Sequence, residues 1–508
     1  MTIIKSGSVK YHNRQLHKFG GSSLSNVECY KQVANIMVNY SQPGDLMIVS
    51  SSGTTTNQLI NWLKLSQTDH ILSNHMQKSI CKHQEDLIVG LVSEKKANIL
   101  KLAFLADIER LIELLNKPIY NDIYAEIVGH GEIWSARLMS VVLEEYGLSN
   151  HWLDSRLFLR AEFSAQPKVN ETLSFPLLQD LLQKYPNKLL VVTGFIAQSK
   201  DGKTVLLGRN GSDYSATQIG ALAGVNKVTI WSDVAGIYSA DPNKVKDAYL
   251  LPLLGLDEAS ELARLAAPVI HARTLQPISI TNIDLQFKCS YNPEKGSTKI
   301  ERVLKSCNGV KIVTSHDDVC LIELNLTNKQ NFKKTYKNID LFLKNIQLRP
   351  LATGLHQDRK LIQLCYTSEI VDSALNILKE TIIVEKILLR DRFSLIALVG
   401  SGVCKNTVHN YIFHKELKDQ FVEFIWHSEE KISLVAVLST TKILDLVQRL
   451  HRHLFQKTKT IKCVLFCKSN ISFNYLKSFF IEKKNIFTCS DFKLIFLYIL
   501  NKFRRLIT

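Results

Sequence analysis

The chain has 508 residues, of which 45% are apolar and 22% charged, and it carries a formal net charge of +16 at neutral pH. This is the composition of an ordinary globular protein of about three domains. The lysines are dispersed without an aromatic–basic stripe, so nucleic-acid binding is not expected. The longest apolar run near the C-terminus, residues 494–500, is too short to span a membrane. The ten scattered cysteines show neither zinc spacing nor a disulfide framework, which favours a soluble protein of the reducing cytoplasm.

The first predicted element is a short strand that ends at Lys18 and Phe19 and is followed by two glycines and two serines. A helix is expected next, because Ser25 and Glu28 have capping-box spacing and apolar residues follow at helical intervals. A strand, a glycine turn and a helix start together make an anion site, since free backbone N–H groups and the positive end of the helix dipole point to one place. With the charge of Lys18 added, this stretch predicts a phosphate site.

Short apolar strands alternate with helices from residue 15 to about residue 291. Such alternation predicts a mostly parallel sheet covered on both faces, whose ligands collect at the carboxyl ends of the strands. The later predicted elements of this region are strands over residues 45–49, 189–193, 204–207 and 227–231, a strand-like stretch over 123–128 before a helix that opens at 134, a long helical region over about 58–115, and a helix over 212–223.

Four polar clusters stand next to these predicted strands. They are the hydroxyl-rich loop of residues 50–56, Gly129-His130-Gly131-Glu132, Gly208-Arg209-Asn210-Gly211-Ser212-Asp213 and Ser232-Asp233-Val234-Ala235-Gly236-Ile237-Tyr238. Each alone has an ordinary explanation: Glu132 favours a helix N-terminus, Asp213 is a helix cap, and Arg209 forms a surface ion pair of little value. Several such turns at one edge of a sheet are harder to explain in this way, and they indicate a shared binding site.

The second half of the chain has a different pattern. Its predicted strands cover residues 319–326, 361–366, 393–399 and 432–438, with helices over 368–379 and 442–453. The strand–helix pair recurs after about 70 residues, which indicates two copies of one small α+β unit with a sensor or scaffold role. The last block opens with a strand over 461–466, but side chains replace the glycines that a dinucleotide-binding turn needs there.

The predicted phosphate site and three of the polar clusters, in their order along the chain, resemble the motif set of the aspartokinases. The matching stretches are Lys18-Phe19-Gly20-Gly21-Ser22-Ser23, Gly129-His130-Gly131-Glu132, Gly208-Arg209-Asn210-Gly211-Ser212-Asp213 and Ser232-Asp233-Val234-Ala235-Gly236-Ile237-Tyr238. Residues 266–271 and 313–319 are similar to those of the methionine-associated bifunctional aspartokinase/homoserine dehydrogenases. The resemblance implies an α/β amino-acid-kinase three-layer sandwich with a mostly parallel sheet, then two ACT-like α+β units and a remnant of a Rossmann-type domain.

The implied domains are a polar tail over residues 1–14, an aspartokinase catalytic domain over 15–305, a tandem ACT-like regulatory region over 306–458, and a remnant of an NAD(P)-binding homoserine dehydrogenase domain over 459–508. The implied activity is ATP:L-aspartate 4-phosphotransfer, the first step of lysine, threonine and methionine biosynthesis, with ATP and Mg²⁺ as the substrate complex. We expect homoserine dehydrogenase activity to be lost and NAD(P) not to be used. Family resemblance also implies a homo-oligomer formed through the ACT-like region.

The resemblance also implies roles for individual residues. Lys18, Gly20, Gly21 and Ser22 would hold the phosphates of ATP, and Ser232, Asp233 and Tyr238 would face the nucleotide. Thr56, Glu132 and Arg209 would hold aspartate, with Ser50 and Asp213 completing the pocket; the catalytic residues would be Lys18, Arg209 and Asp213, and no side chain is assigned to a metal. His130 is expected to be structural.

Two positions depart from the family pattern, and two other functions remain open. Asn243 stands where the family often has arginine, with Lys244 as a substitute cation, and Pro268 replaces a lysine of other aspartokinases; both affect the expected affinity for ATP more than the reaction. One alternative is a kinase of another acceptor, such as glutamate or a nucleotide monophosphate. The other is a non-catalytic sensor or binding partner.

Overall fold

The structure is a computed structural model that describes residues 14–164, 166–265, 270–302, 309–327, 330–346, 348–382, 384–440 and 443–456. These residues form two compact units. The first contains the described residues of 14–237, 250–263 and 270–302, and the second contains those of 238–249, 264–265 and 309–456. None of the described helices has both the length and the apolar character of a membrane span. The predicted dehydrogenase remnant, residues 459–508, lies outside the described residues.

The strands of the first unit confirm the predicted, mostly parallel sheet. In chain order they are β1 (Gln15–Phe19), β2 (Leu46–Val49), β3 (Asn150–Leu153), β4 (Leu189–Thr193), β5 (Ile196–Gln198), β6 (Thr204–Leu206), β7 (Lys227–Ser232), β8 (Leu253–Gly255), β9 (Asp284–Cys289) and β10 (Ser297–Glu301). Eight of them form one sheet in the order β3-β4-β2-β1-β7-β9-β10-β8, while β5 and β6 form a separate hairpin. The pairs from β3 to β9 are all parallel, and β10 alone runs antiparallel to its neighbour β9.

Helices cover this sheet, so its central strands are buried on both faces, as their unbroken apolar sequences predict. The helices are α1 (Val27–Tyr40), α2 (Thr55–Ser66), α3 (His70–Leu91), α4 (Glu94–Leu115), α5 (Asn121–Glu145), α6 (Glu171–Lys184), α7 (Gly211–Ala223), α8 (Leu256–Arg264) and α9 (Ala272–Ile280). On one face, α1 and α5 pack against β2, β4 and β7 around Tyr30, Met139 and Trp231.

Two local predictions about these helices are wrong. Helix α1 is capped by Asn26 rather than by Ser25, because the Asn26 side chain accepts a hydrogen bond from the Cys29 N–H at 3.0 Å. The stretch 123–128 is not a strand but the first part of α5, which continues without a break to Glu145. Residues 127–136 of α5 are buried on every side, and their polar members His130, Glu132 and Ser135 do not lie on one helical face. No polar face therefore reveals a helical period in this stretch.

The second unit contains one antiparallel sheet with helices, which confirms the predicted pair of α+β units. Its strands are β11 (Ile312–Asn325), β12 (Ala352–His356), β13 (Leu361–Thr367), β14 (Lys386–Val399), β15 (Val422–His427) and β16 (Ser433–Leu438). Its helices are α10 (Phe332–Asn345), α11 (Ser368–Thr381), α12 (Thr407–Leu417) and α13 (Leu444–Phe455). The sheet order is β12-β13-β11-β14-β16-β15, with the long strands β11 and β14 paired at its centre. A separate apolar core lies beneath each half.

Candidate functional site

The loops after several parallel strands of the first unit meet at one edge of the sheet. Ser50 N–H donates to the Phe19 carbonyl at 3.1 Å, which joins the ends of β1 and β2. Gly194 N–H donates to the Val49 carbonyl at 2.9 Å, which joins the ends of β2 and β4. Because the carboxyl ends of parallel strands point the same way, the predicted phosphate turn and the hydroxyl-rich loop lie side by side.

Lys18 and Asp213 form a largely buried ion pair at this edge. Lys18, near the end of β1, is only 7% exposed, and its Nζ contacts the Asp213 carboxylate in the first turn of α7. The 208–213 cluster therefore reaches the end of β1, although β6 before it belongs to the separate hairpin. A Cβ on Gly20 would lie 3.4 Å from the Lys18 Nζ, so the glycine turn passes directly over this ammonium.

Arg209 lies on the turn that leads into α7. Gly208 and Asn210 on either side of it have positive φ angles of +82° and 52°, a backbone region that glycine and asparagine tolerate best. Arg209 is exposed and, with Asp213, lies close enough to His271 to influence it electrostatically. Burial is the main cause that lowers the pKa of His271, the positive charges of Arg273 and Arg209 add to this, and Asp213 opposes it.

Glu132 is a buried carboxylate on α5 that faces the hydroxyl-rich loop. It is 2% exposed and accepts a hydrogen bond from the Ser51 backbone N–H, while its Oε2 has no partner among the described residues. Burial raises the pKa of Glu132 to about 8, although the Ser51 hydrogen bond and the charge of Lys18 pull it down. An unpaired buried carboxylate of this kind is suited to a cationic ligand group.

The hydroxyl-rich loop is packed against α5 at Gly131. A Cβ there would lie 2.8 Å from the Ser51 Cβ, so only glycine allows this approach. Within the loop, the Ser51 and Thr56 hydroxyls are 2.6 Å apart, and the Thr55 hydroxyl donates to the Ser52 carbonyl at 2.6 Å. The loop thus holds its backbone through its own side chains, while Ser50 stays partly exposed at the strand end.

The phosphate turn is fixed to the neighbouring loops. The Gly21 carbonyl accepts the Gly53 N–H at 2.9 Å, and Ser22–Leu24 form one 3-10 turn. Beyond β7, the Ser232 hydroxyl donates to the Val234 carbonyl at 3.1 Å, and Asp233 is exposed. Ser22, Ser232 and Asp233 therefore lie at the ends of the adjacent strands β1 and β7.

The remaining predictions concern Tyr238, Asn243 and Pro268, which relate to nucleotide binding, and His130, which is expected to be structural. Tyr238 belongs to the second unit, as does Asn243, so its predicted role in nucleotide binding stays a prediction. Pro268 lies outside the described residues. His130 is buried, its Nδ1 lies 2.6 Å from the Glu126 carbonyl one turn earlier, and burial lowers its pKa. These contacts fit the expected structural role.

Three residues next to the site were not identified from the sequence. Gln84 on α3 hydrogen-bonds the hydroxyl-rich loop, while Ser290 and Tyr291 follow β9 and bind the phosphate turn. The Ser23 and Ser290 hydroxyls are 2.7 Å apart, and the Tyr291 hydroxyl donates to the Ser22 carbonyl at 2.8 Å. The sequence contains two weak signals for these residues. Gln84 is an amide on a mostly apolar helix face, and Ser290 and Tyr291 are polar residues directly after a strand.

Comparison with known proteins gives consistent results. The model of the amino acid kinase family matches residues 13–288. The chain is 57% identical over all of its 508 residues to bifunctional aspartokinase/homoserine dehydrogenase 2 of Escherichia coli (strain K12), of which it spans 62%. It is 31% identical over 344 residues, 64% of this chain, to the chloroplastic bifunctional aspartokinase/homoserine dehydrogenase 2 of Arabidopsis thaliana, of which the match covers 37%.

Solved structures share the fold. The structure of E. coli aspartokinase III in complex with aspartate and ADP matches with a TM-score of 0.79 at 22% identity, over 87% of this chain and 100% of that chain. The aspartate kinase of Clostridium acetobutylicum matches with a TM-score of 0.67 at 17% identity, also over 87% of this chain and 100% of that one. These likenesses extend through both units, since either unit alone is shorter than the matched length.

Proposed function

Because the chain belongs to the amino acid kinase family, we propose that it is an aspartate kinase, which transfers the γ-phosphoryl group of ATP to the β-carboxylate of L-aspartate and forms 4-phospho-L-aspartate. The observation that carries this proposal is Glu132, a buried carboxylate next to the hydroxyl-rich loop and within electrostatic reach of Lys18. Such a group suits an α-ammonium better than it suits a phosphate or a nucleotide monophosphate acceptor. Aspartate and ADP, the ligands of the similar E. coli aspartokinase III, match the two halves of this site.

The nucleotide half of the site consists of the phosphate turn and the end of β7. Lys18 and the backbone N–H groups of Gly20, Gly21 and Ser22 hold the phosphates of the magnesium–ATP complex, because a lysine at a glycine turn concentrates positive charge there. Ser232 and Asp233 contact the nucleotide from the neighbouring strand. Asp213 keeps the Lys18 ammonium in place through their largely buried ion pair.

The amino-acid half consists of Glu132, Arg209 and the hydroxyl-rich loop. Glu132 binds the α-ammonium, and Arg209 binds the α-carboxylate in the bidentate geometry that guanidinium groups favour. Thr56 and Ser50 hydrogen-bond the substrate from the loop that packs against Glu132. Together these groups orient the β-carboxylate toward the γ-phosphate.

The reaction needs no general base. The β-carboxylate has a pKa of about 4, so it is already an ionised nucleophile at neutral pH. The barrier comes from bringing this anion to the anionic triphosphate and from the charge on the phosphoryl group as it is transferred. Lys18, the magnesium ion of the substrate complex and the N–H groups of the phosphate turn stabilise that charge.

The second unit is proposed to be regulatory. By family resemblance, its two α+β repeats would act as ACT-like units that join copies of the chain into a homo-oligomer. We assign the catalytic domain to residues 15–305 and the regulatory region to 306–458.

The test of the proposed function is a hydroxamate assay for the acyl phosphate, with aspartate and glutamate as alternative acceptors. We expect product with aspartate and at least about tenfold less with glutamate, whose extra methylene misplaces the carboxylate. Lys18→Ala should lower kcat by about 10²-fold or more, because it removes a charge that acts on the transferring phosphoryl group.

The matched control is Lys31→Ala on helix α1. Lys31 pairs with the exposed Glu28 at 3.0 Å, and such a surface pair contributes little. Preferred turnover of glutamate would support the second acceptor class. No acyl phosphate with either acid would leave the non-catalytic sensor as the better description and would refute the kinase proposal.

A further inference from the structure

A buried hydrogen-bond cluster lies behind the hydroxyl-rich loop. None of its residues is among those predicted to bind aspartate or ATP. Its centre is Gln84 on α3, which is 2% exposed. The Gln84 Nε2 donates to the Ser52 hydroxyl at 3.1 Å and to the Thr55 hydroxyl at 3.4 Å. Because Thr55 in turn donates to the Ser52 carbonyl, one amide contacts both ends of the turn from Ser52 to Thr55.

The cluster extends to two further helices of the same unit. The Tyr30 hydroxyl on α1 lies 2.9 Å from the Ser135 hydroxyl on α5, and Tyr30 also hydrogen-bonds Ser52. The side chains of Tyr30 and Ser135 are buried. Ser52 thus receives polar contacts from α1 and α3, and it precedes the helix α2. Buried networks of this kind define one geometry, since every lost partner leaves an unsatisfied polar group.

Core packing alone does not require an amide at position 84. Three of the four other buried residues of α3, Ile80, Leu87 and Ile88, are apolar and pack into apolar cores, and the fourth is Ser73. A leucine or methionine would continue that apolar packing, and the amide would cost free energy there without its hydroxyl partners. Gln84 is therefore matched to the loop.

The cluster is connected to Glu132 through Ser51, the residue before Ser52. The Ser51 N–H donates to the Glu132 carboxylate, and the Ser51 hydroxyl lies 2.6 Å from that of Thr56. A shift of Ser52 and Thr55 moves Ser51 directly, since these residues are consecutive or one turn apart. Through this connection the Gln84 amide affects the positions of Ser51 and Glu132, although Gln84 itself is not predicted to contact the amino acid.

We propose that Gln84 is a positioning residue for the amino-acid pocket: through Ser52 and Thr55 it holds the hydroxyl-rich loop so that Ser51 keeps the Glu132 carboxylate aimed at the α-ammonium of the substrate. This inference rests on the proposed aspartate kinase activity. It assigns to helix α3 a role in selecting the acceptor.

The experiment compares the full-length Gln84→Met variant with the wild type. Methionine keeps the length and volume of glutamine but cannot donate hydrogen bonds. We expect KM for aspartate to rise about tenfold, as the loss of buried hydrogen bonds worth about 1.4 kcal/mol predicts, with KM for ATP within about twofold of wild type. Gln77→Met, two turns earlier on the same helix, is the matched control and should leave both KM values unchanged.

A double-mutant cycle with Ser52→Ala separates positioning from a general loss of structure. If Gln84 acts through Ser52, the double variant should raise KM for aspartate no further than the larger single effect, because both changes break one connection. Additive effects, or equal rises in both KM values with a lower unfolding midpoint, would overturn the inference. A wild-type protein that forms no acyl phosphate would instead refute the proposed function, and measurable wild-type activity with an unchanged KM for aspartate in Gln84→Met would refute the role of Gln84 alone.

Discussion

At the scale of single residues, the site separates two charges that would otherwise neutralise each other. Lys18 is paired with Asp213, whereas the Glu132 carboxylate accepts hydrogen bonds from the backbone N–H groups of Ser51 and of Glu132 itself and keeps one oxygen without a partner among the described residues. Burial without a counter-charge is costly for a carboxylate, and Glu132 therefore holds its proton more tightly than an exposed glutamate. The same lack of a partner makes it receptive to an ammonium group.

Proton release on aspartate binding is the measurable consequence. The pKa of Glu132 is raised to about 8 by burial, and a bound α-ammonium would lower it by stabilising the carboxylate. A pKa that falls on binding means that protons leave, so binding at pH 7 should release close to one proton and KM for aspartate should fall as pH rises from about 6.5 to 8. Calorimetry in buffers of different ionisation enthalpy measures the proton count directly.

Glu132→Gln is the control for this release, because the amide has the same shape and does not titrate. The variant should bind aspartate more weakly and release no proton from this position. If the wild type took up protons on binding, or if the variant released as many as the wild type, Glu132 would not be the group that meets the ammonium.

At the scale of helices and strands, the sequence predicts what depends on local pattern and misses what depends on packing. Apolar runs place residues 189–193 on β4 to the residue, since a strand buried on both faces needs no polar position. In α5, by contrast, the polar residues of the buried stretch do not lie on one face, and this hides the helical period. Asn26 replaces Ser25 as the cap of α1 because both residue types cap well and only the three-dimensional path of the turn selects between them.

For the candidate site too, the sequence predicts individual residues but not the contacts that packing creates between them. Motif resemblance predicts roles for Lys18, Glu132 and Arg209 individually, but it does not show that Lys18 pairs with Asp213. Gln84 is separated from Ser52 by 32 residues and has no motif around it, so only the return of α3 over the loop reveals the contact. Tyr238 lies in the same predicted motif as Ser232 but belongs to the second unit, and its contact with the nucleotide stays a prediction.

Gly131→Ala tests the close packing of α5 against the hydroxyl-rich loop. Alanine at an interior helix position normally stabilises a helix by about 0.5–1 kcal/mol relative to glycine. Here the added methyl would lie 2.8 Å from the Ser51 Cβ, so the loop must move and KM for aspartate should rise about tenfold or more. Steady-state kinetics with each substrate varied in turn checks this.

Gly129→Ala, on the same helix, is the companion variant. It gains the same propensity, but its methyl meets the Ile196 side chain at 2.7 Å instead of the loop. It should change thermal stability while KM for aspartate stays near the wild-type value. An equal rise in KM for both variants would mean that α5 moves as a whole and that the Gly131 contact has no special role.

At the scale of the whole molecule, histidines with lowered pKa values make the stability of both units depend on pH. Desolvation by burial is the largest cause that lowers the pKa of six of the described histidines. They are His83, His130, His151 and His271 in the first unit and His409 and His451 in the second. His130 and His451 are the buried members of this set, and His451 also forms a 2.8 Å hydrogen bond with Ser239.

The free energy of unfolding should therefore decrease as pH falls below about 6.5, the ordinary pKa of histidine. At pH values between the lowered pKa of a folded-state histidine and its ordinary pKa, the unfolded chain binds more protons than the folded chain. Each such histidine then contributes up to about 1.4 kcal/mol per pH unit to the slope of the free energy of unfolding. Glu132 acts in the opposite direction, because its raised pKa makes the folded state bind a proton more tightly. Near pH 7.5 the histidines of the unfolded chain are mostly neutral and Glu132 sets the sign of the slope, so the positive slope from the six histidines is expected only below about pH 6.5. Urea unfolding between pH 7.5 and 5.5 measures it.

His451→Gln isolates the contribution of one histidine to this slope. The variant loses stability at every pH if the glutamine reaches Ser239 poorly, but that offset does not depend on pH. The diagnostic quantity is therefore the slope of the free energy of unfolding against pH. This slope should decrease for the second unit and stay unchanged for the first, which does not contain His451. If acidification to pH 5.5 left the wild type as stable as at pH 7.5, protonation of these rings would be possible in the folded state, and burial would not be what keeps them neutral.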